Sequence, residues 1–323
     1  MNEPRALLFV KLSALGDQLF ALPAIEDAIA RWPNLRIDWV VDERFADIPR
    51  MHPHVRHVHA VPLRRWRRAI GHMATWREAA ALVRAVRSCE YDLVVDGQGM
   101  WKSFAMARLA RARERVVHHP DDCGEPSVVR GYDRIAPAFP HLHGTHRLRA
   151  LMAFAVGSNM HTPLRYGLSV PAAPRGDAYA MLLHGASKPE KCWPPSHWIA
   201  VGHALVERGI TPLLPWGNDD EHRRAHDLAR AIPHAEVLPR LSIPECAALL
   251  AHARVAIGLD TGLTHLAAAY GTPCVALFLA TRLDFFAPVN PARSRALGGP
   301  SMSVSVEQTI VALDRVLASS NTQ

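Results

Sequence analysis

The sequence lacks the features by which disulfide-rich, zinc-binding and membrane-spanning proteins are recognised. Its five cysteines are scattered and form no CxxC pair, which argues against a disulfide framework or a structural zinc site and favours a reducing compartment. No apolar run approaches the roughly 18 residues of a membrane span. The short apolar run at residues 6–10 is typical of a buried strand rather than of a signal-peptide core. We therefore expect a cytoplasmic protein whose membrane contact is peripheral.

Aromatic residues are few, and acidic residues are outnumbered by basic ones. The 323 residues include 37 Lys and Arg against 30 Asp and Glu, a formal net charge of +7, and only 7% aromatic residues. A basic balance favours an anionic partner, such as a nucleic acid, a phosphorylated substrate or an acidic membrane surface, and does not choose among them. The length and the 49% of hydrophobic residues suffice for two α/β domains of ordinary size.

Short apolar strands alternate with helical segments in two series, which predicts βαβ units and parallel sheets. The first series covers residues 1–158 and includes a long basic helix over 65–87. Residues 159–177 contain several prolines and glycines, break the pattern and are interpreted as a linker. The second series covers 178–305, and a last helix within 306–323 could pack back on the N-terminal domain. Rossmann-like domains of this kind bind ligands beyond the carboxyl ends of their strands.

The loop after the first predicted strand reads KLSALGD and covers residues 11–17. Gly16 permits a tight turn and the close approach of a ligand. Asp17 would lie at the N-terminus of the next helix, where a carboxylate commonly caps free N–H groups. The alternative is a general base, which would need desolvation because the helix dipole favours the charged carboxylate. The spacing alone leaves both interpretations open.

Two loops of the second half carry groups suited to a sugar nucleotide. Ser187, Lys188 and Lys191 follow a strand and suit phosphate oxygens, although solvated surface lysines are the alternative. In the other loop, Trp216 and Gly217 precede an acidic helical turn that ends at Glu221. Such a turn is either ordinary helix-start chemistry or a carboxylate site for sugar or ribose hydroxyls.

The loop best suited to anion binding covers residues 258–265 and joins a strand to an alanine-rich helix. Thr261, Gly262 and Leu263 supply backbone N–H groups at a helix N-terminus, which suits a pyrophosphate. Asp260 would repel a phosphate and is better suited to sugar hydroxyls. Capping alone is the alternative, and the position at a strand end favours anion binding.

The N-terminal half carries a basic segment, residues 64–68, in which four arginines flank one tryptophan. A solvated helix face is the alternative explanation, but it does not require four arginines, and arginine suits carboxylates and phosphates. Together with Lys102 and the basic residues of 141–147, this segment is predicted to hold an acidic acceptor beside an anionic lipid surface.

Two apparent signals are discounted. The sequence GQG at residues 97–99 lacks the third glycine of a dinucleotide fingerprint, because Lys102 occupies that place, and this argues against a nicotinamide oxidoreductase. The four histidines between residues 52 and 59 lack cysteines or paired carboxylates nearby, so we expect no metal site there.

Taken in order, these loops resemble those of inverting GT-B glycosyltransferase family 9, the lipopolysaccharide heptosyltransferases. The resemblance spans nearly the whole chain, and PWG at 215–217 with DTGLTH at 260–265 is its most specific part. The RRWR segment at 64–67 is more similar to heptosyltransferase I than to heptosyltransferase II. The implied fold is α/β, with two Rossmann-like domains whose parallel sheets face a central cleft.

The resemblance also implies roles for single residues. Asp17 is implied to be the catalytic base that takes a proton from a Kdo hydroxyl, and Lys191 to meet the diphosphate of the donor. The donor-binding residues it implies are Ser187, Lys188, Trp216, Gly217, Glu221, Asp260, Thr261, Gly262, Leu263, Thr264 and His265. The acceptor-binding residues it implies are Ser13, Gly16, Arg64, Arg65, Arg67, Gln98 and Lys102.

The implied reaction is transfer of L-glycero-D-manno-heptose from ADP-heptose to Kdo of Kdo2-lipid A, with inversion. No cofactor or essential metal is expected, because lysine and a helix N-terminus can stabilise the leaving diphosphate. The expected partners are ADP-heptose, Kdo2-lipid A and the cytoplasmic face of the inner membrane, with no nucleic acid. The alternatives are heptosyltransferase II, a protein heptosyltransferase, and a non-catalytic module that binds a sugar nucleotide or an anionic lipid.

Overall fold

The computed structural model describes residues 5–139, 141–160, 164–186, 188–289, 293–300 and 302–319. The chain forms two compact α/β units, Met1–Ser169 and Val170–Gln323. The division between them falls inside the segment that the sequence suggests as a linker. Each unit has its own sheet and its own hydrophobic core.

The N-terminal unit contains a six-stranded parallel sheet in its described residues. Its strands are β1 (Ala6–Val10), β2 (Arg36–Asp42), β3 (Val55–Val61), β4 (Glu90–Asp96), β5 (Arg111–Val117) and β6 (Arg134–Ile135). Its α-helices are α1 (Leu15–Arg31), α2 (Asp47–Arg50), α3 (Leu63–Arg68), α4 (Met73–Arg87), α5 (Trp101–Leu109) and α6 (Gly144–Val156). The strand order β3-β2-β1-β4-β5-β6 is that of a dinucleotide-binding domain.

The middle of this sheet is apolar because helices cover both of its faces. All five residues of β1 are buried, and Phe9 packs edge-on against Trp39 of the neighbouring strand at 4.7 Å between ring centroids. Helices α1 and α6 pack together and share a buried ion pair, in which the Arg149 guanidinium donates to Asp27 at 2.6 and 2.9 Å. This pair fixes the helix that carries Asp17 at its first turn.

The C-terminal unit repeats the architecture. Its strands are β7 (Tyr179–Leu183), β8 (Thr211–Leu214), β9 (Glu236–Val237), β10 (Val255–Leu259), β11 (Cys274–Phe278) and β12 (Ser294–Gly298). Its α-helices are α7 (Pro195–Glu207), α8 (Asp219–Ala231), α9 (Ile243–His252), α10 (Gly262–Ala269), α11 (Leu283–Phe286) and α12 (Val306–Ala318). The strand order β12-β11-β10-β7-β8-β9 is the same pattern as in the first unit, read from the opposite edge.

Helix α12 packs inside the C-terminal unit. It contacts α7 and β11, and Leu313 and Val316 are buried in the core of that unit. Just before the helix, the Trp193 indole N–H donates to the Val304 carbonyl at 3.0 Å. The apolar face of this helix therefore completes the core of the C-terminal unit, and residues 320–323 of the predicted segment lie outside the described residues.

The single helix expected over residues 65–87 is two helices, α3 and α4, separated by a turn at residues 69–72. Side chains of α4 bond back to this turn: the Thr75 hydroxyl donates to the Ala69 carbonyl at 2.7 Å, and the Trp76 indole to the Ile70 carbonyl at 2.8 Å. These bonds satisfy carbonyls that a continuous helix would have used.

In both sheets the direction of chain progression reverses between the first and the fourth strand. In the first unit Val10 pairs with Asp96, so the loops after β1 and β4 leave the sheet side by side. In the second unit Leu183 pairs with Gly258, so the loops after β7 and β10 do the same. This switch point is where ligands bind in sheets of this order.

Candidate active site

In the N-terminal unit, Gln98 joins the loops after β1 and β4. Its side-chain oxygen accepts hydrogen bonds from the backbone N–H groups of Leu12 at 2.7 Å and Ser13 at 3.3 Å. Its side-chain N–H donates to Ser13 Oγ at 3.0 Å, and Lys102 Nζ donates to the same oxygen at 3.1 Å. Three of the predicted acceptor residues, Ser13, Gln98 and Lys102, are therefore in direct contact.

The backbone of Gln98 is in turn fixed by hydrogen bonds to Asp96, which is fully buried. Asp96 Oδ1 accepts from the backbone N–H groups of Gln98 at 2.8 Å and Gly99 at 3.1 Å, and Oδ2 accepts from the Tyr132 hydroxyl. Burial raises the pKa of Asp96, and these hydrogen bonds oppose the rise. Tyr132 could not be predicted from the sequence, since no spacing relates it to the motif at 96–99.

Asp17 is the third residue of α1, and its carboxylate takes part in capping the first turn of that helix. Its Oδ2 accepts from the backbone N–H of Ala14 at 2.9 Å and lies 3.4 Å from Lys11 Nζ, while Gly16 precedes it in the same helical turn. Among the described residues, Oδ1 has no hydrogen-bond partner. The side chain is 39% exposed, so one oxygen caps the helix and the other can meet a ligand.

Two lysines lie close to each other in this region. Lys11, which is largely buried, lies beside Asp17, and Lys102 is near enough to Lys11 to sense the charge of its ammonium. Burial lowers the pKa of Lys102, and the ammonium of Lys11 lowers it further. An anionic ligand would relieve the repulsion between these two groups, so the site suits a carboxylate or a phosphate.

The basic segment 64–68 is divided by the structure. The Arg65 guanidinium donates to both Glu78 oxygens, at 2.8 and 2.7 Å, and to Glu43 at 3.2 Å. Arg65 must leave these carboxylates before it can bind an acceptor. Arg64 and Arg67 are exposed and form no ion pair with any residue that the structure describes.

In the C-terminal unit, Asp260 is the centre of a polar cluster between the loops after β7 and β10. Its Oδ2 lies 2.7 Å from Lys191 Nζ and accepts from the Thr281 hydroxyl at 2.6 Å, and its Oδ1 lies 3.4 Å from His265 Nε2. Burial alone would raise the pKa of Asp260, but the hydrogen bonds from its three partners hold that pKa well below its usual range. Thr281 follows β11 and was not found from the sequence.

The first turn of α10 lies beside this cluster. Thr261 is the N-cap residue; its hydroxyl does not cap the backbone N–H groups of the turn and lies 3.4 Å from the Thr264 hydroxyl. The Thr264 hydroxyl donates to the Leu259 carbonyl at 2.6 Å and faces inward. The N–H groups at Gly262 and Leu263 therefore have no capping side chain, as a diphosphate site at a helix N-terminus requires.

Glu221 approaches the loop after β7 closely. Its Oε2 accepts from the Gly217 N–H at 2.8 Å, and a Cβ at Gly185 would lie 2.6 Å from its Oε1. Only glycine at position 185 allows this approach, and no motif in the sequence indicates it. The Trp216 indole N–H is already used within the protein, because it donates to the Leu238 carbonyl at 2.7 Å.

The remaining predicted donor residues are less defined. Lys188 is exposed, with its Nζ 3.6 Å from Glu190 Oε1, and forms part of the protein surface. Ser187 lies outside the described residues. The structure thus brings Lys191, Asp260 and His265 into one cluster and leaves Lys188 away from it.

The chain is similar to known glycosyltransferases over most of its length. The sequence model of "Glycosyltransferase family 9 (heptosyltransferase)" matches residues 79–308. Lipopolysaccharide heptosyltransferase 1 of Pseudomonas aeruginosa is 37% identical over 90% of this chain and 81% of that protein. The solved structure of Escherichia coli heptosyltransferase WaaC with ADP superimposes with a TM-score of 0.87 at 32% identity, covering 97% of this chain and 99% of that one. WaaC with ADP-2-deoxy-2-fluoro heptose gives a TM-score of 0.83 at 32% identity, over 98% and 99%.

These matches cover both units, so the family assignment does not depend on one shared domain. They confirm the α/β GT-B fold and the family that the motifs predicted. This chain is a glycosyltransferase and belongs to glycosyltransferase family 9, the heptosyltransferase family.

Proposed function

We propose that this enzyme transfers heptose from ADP-heptose to a Kdo residue of Kdo2-lipid A during synthesis of the lipopolysaccharide inner core. Relatives named heptosyltransferase 1, and similar structures that hold ADP or a fluorinated ADP-heptose, support this proposal. One observation carries it. Each unit places its polar loops at the switch point of its own sheet, with Asp17 in the first unit and the pair Lys191–Asp260 in the second.

The acceptor is assigned to the N-terminal unit. Kdo is an acidic sugar, and the ammonium groups of Lys11 and Lys102 suit its carboxylate. A Kdo hydroxyl placed at Asp17 Oδ1 would attack the anomeric carbon of the heptose. Its proton passes to Asp17 as the new C–O bond forms. Because Oδ2 is already bound to Ala14 and Lys11, only Oδ1 is available for this step.

The donor is assigned to the C-terminal unit. Lys191 and the first turn of α10 would stabilise the charge that grows on the diphosphate as the bond from the anomeric carbon to oxygen breaks. ADP leaves with the electron pair, and a single displacement inverts the anomeric centre. Glu221, held close by Gly185, would accept hydrogen bonds from the ribose hydroxyls. Since these groups supply the positive charge, the proposed reaction needs no metal and should persist in EDTA.

The acceptor's lipid also bears on where the enzyme works. Kdo2-lipid A is anchored in a bilayer, so we propose that the enzyme acts at the cytoplasmic face of the inner membrane through peripheral contact. The described part of the chain contains no helix that is both long enough and apolar enough to span a bilayer.

The test is turnover with a panel of donors and acceptors, followed by mass spectrometry. We expect transfer from ADP-heptose to Kdo2-lipid A, and none from UDP-glucose or GDP-mannose. Transfer only to heptosylated Kdo2-lipid A would reassign the enzyme as heptosyltransferase II, and transfer only to a protein as a protein heptosyltransferase. Binding of ADP-heptose without any transfer would indicate a non-catalytic module.

The role of Asp17 is tested separately by Asp17→Asn. The variant should fold and bind ADP-heptose normally, because the amide oxygen can still accept from Ala14. We expect kcat to fall by about 10² to 10⁴. The matched control is Asp47→Asn, which changes an exposed carboxylate that pairs with Arg50 on the surface. Transfer by Asp17→Asn at the rate of this control would refute the assignment.

A further inference from the structure

The connection between α3 and α4 exposes three large apolar side chains. Ile70, Met73 and Trp76 have 64%, 67% and 57% of their surface exposed and lie within seven residues of each other. Met73 and Trp76 are three residues apart on α4 and share one face, and the Trp76 indole is bonded to the carbonyl of Ile70. Exposed apolar side chains are usually scattered singly, whereas these form one patch.

The patch is held in place by its own hydrogen bonds. The turn is closed by His72 N–H donating to the Ala69 carbonyl at 3.0 Å and by the Thr75 hydroxyl donating to the same oxygen at 2.7 Å. The Trp66 indole donates to Glu78 at 2.7 Å and ties α3 to α4. The apolar side chains are therefore presented by an ordered segment.

Exposed arginines lie on the two helices that flank the patch. Arg64, Arg67, Arg68 and Arg77 are all exposed, and none forms an ion pair within the described ranges. The only acidic residue between positions 63 and 87 is Glu78, which is already bound by Arg65 and Trp66. The surface thus combines apolar side chains that can insert into a bilayer with exposed arginines, of which Arg64 also senses the charge of Asp42.

We propose that residues 64–77, the α3–α4 hairpin, form a docking surface for an anionic phospholipid bilayer. Tryptophan and aliphatic side chains partition into the interfacial region, and arginines bind lipid phosphates. The charge is the reason to prefer a bilayer over another protein surface, since it fits any anionic headgroup without a defined partner shape. The inference rests on the proposed function, in which the acceptor is a lipid.

Vesicle co-sedimentation of the full chain tests the surface without any acceptor present. We expect binding to vesicles of phosphatidylglycerol and phosphatidylethanolamine, and little binding to phosphatidylcholine alone. Salt should weaken the binding, because it screens the arginines. Vesicles without Kdo2-lipid A are used so that phosphates of the acceptor cannot account for the result.

Two variants separate the apolar contribution to vesicle binding from the contribution of charge. Ile70→Ser with Met73→Ser should weaken vesicle binding about tenfold, and Arg77→Gln about fivefold. The matched controls remove similar groups elsewhere: Met302→Ser with Val311→Ser, whose side chains are 60% and 50% exposed, and Arg240→Gln. These controls should bind vesicles as the unmodified chain does.

Activity separates this proposal from the proposed function. With a deacylated, water-soluble Kdo acceptor, the variants at Ile70, Met73 and Arg77 should retain full turnover. With the acceptor embedded in vesicles, their apparent KM should rise by the factor lost in binding. A chain that binds anionic vesicles and transfers no heptose would refute the function and leave the docking surface standing.

Three results would overturn the docking surface. They are equal binding to phosphatidylcholine and phosphatidylglycerol vesicles, equal losses in the control and hairpin variants, and an unchanged affinity in the Ile70 and Met73 double variant. The last result would reduce the surface to a plain cationic patch.

Discussion

Lys191 Nζ and Asp260 Oδ2 are 2.7 Å apart and join the loop after β7 to the loop after β10. Both residues are predicted to bind the donor, yet here each satisfies the other. In the proposed reaction, the donor diphosphate would share or replace Asp260 as the partner of the Lys191 ammonium. The pair thus keeps the ammonium oriented and compensated until the donor supplies stronger negative charge.

Replacing Lys191 tests this arrangement. Lys191→Ala should lower kcat/KM for ADP-heptose by about 10² to 10³, because one charged donor to the leaving diphosphate is lost. Lys188→Ala is the control, since Lys188 is exposed and its only ion pair in the described chain is a surface contact with Glu190. Steady-state kinetics and calorimetric titration with ADP would measure both. Comparable losses in the two variants would contradict the distinction.

The hydrogen bonds from the loop after β1 to the Gln98 side chain give a second prediction. Gln98→Ala should lower kcat about 10- to 100-fold, because the Leu12–Ser13 backbone that leads to Asp17 loses its fixed position. Affinity for ADP should not change, since its predicted site is in the other unit. Gln98→Glu keeps an acceptor for the two N–H groups and should recover part of the activity. A weakened affinity for ADP would show that Gln98 acts in some other way.

Tyr132 contacts Gln98 only indirectly, through Asp96. Tyr132→Phe leaves Asp96 Oδ2 without its hydroxyl donor inside the core, which should lower the free energy of unfolding by about 1–3 kcal/mol. Activity should fall less than in Gln98→Ala, because Gln98 keeps its backbone bond to Asp96. Urea denaturation and turnover measured on the same samples would test the order of the effects. Unchanged stability would mean that water replaces the hydroxyl.

Gly185 provides a test of the donor side that removes no polar group. In Gly185→Ala the new Cβ would meet Glu221 Oε1 at 2.6 Å, so the carboxylate must move away from the loop. Affinity for ADP should fall about tenfold, the loss of roughly one good hydrogen bond. Gly176→Ala is the control, because a Cβ there meets nothing within 4 Å. An unchanged affinity for ADP would remove Glu221 from the donor site.

Three buried histidines predict how stability depends on pH. Burial lowers the pKa of His52 and His184 to about 4 and that of His118 to about 3. In the unfolded chain they titrate near 6.5, so between these values only the unfolded chain binds the protons. The free energy of unfolding should therefore fall as the pH drops from 6.5 towards 4, by about 1.4 kcal/mol per pH unit for each histidine.

Urea denaturation at several pH values would measure this slope. His184→Gln should make it shallower, whereas His203→Gln, on an exposed part of α7, should leave it unchanged. A free energy of unfolding that is flat between pH 6.5 and 4.5 would contradict the prediction.

The parts of the site that lie on one loop could be predicted from the sequence. The residues at 11–17 and 260–265 belong to short motifs after apolar strands, and the order of strands and helices indicated where such loops lie. The family followed from the same motifs and is confirmed.

The parts that depend on contacts between distant segments could not be predicted. Tyr132 and Asp96 are 36 residues apart in the sequence, and Thr281 and Asp260 are 21 apart. Neither separation belongs to a known motif that would predict the contact. The Arg65 guanidinium is bound by Glu43 and Glu78. Both lie outside the basic segment, so its sequence does not indicate these contacts. The break in the helix over 65–87 comes from side chains that bond back to its own turn, which periodicity does not reveal.

The two sheets have one strand order, although the amino-acid sequence shows no internal repeat. Each carries its own core, and the proposed function assigns the acceptor to the first sheet and the donor to the second. On that proposal, the choice of sugar donor and the choice of sugar acceptor can evolve as independent modules. A hybrid of two family members joined between Ser169 and Val170 would accordingly inherit one preference from each parent. Diversity of products in such a family can thus arise by recombination as well as by gradual change within a pocket.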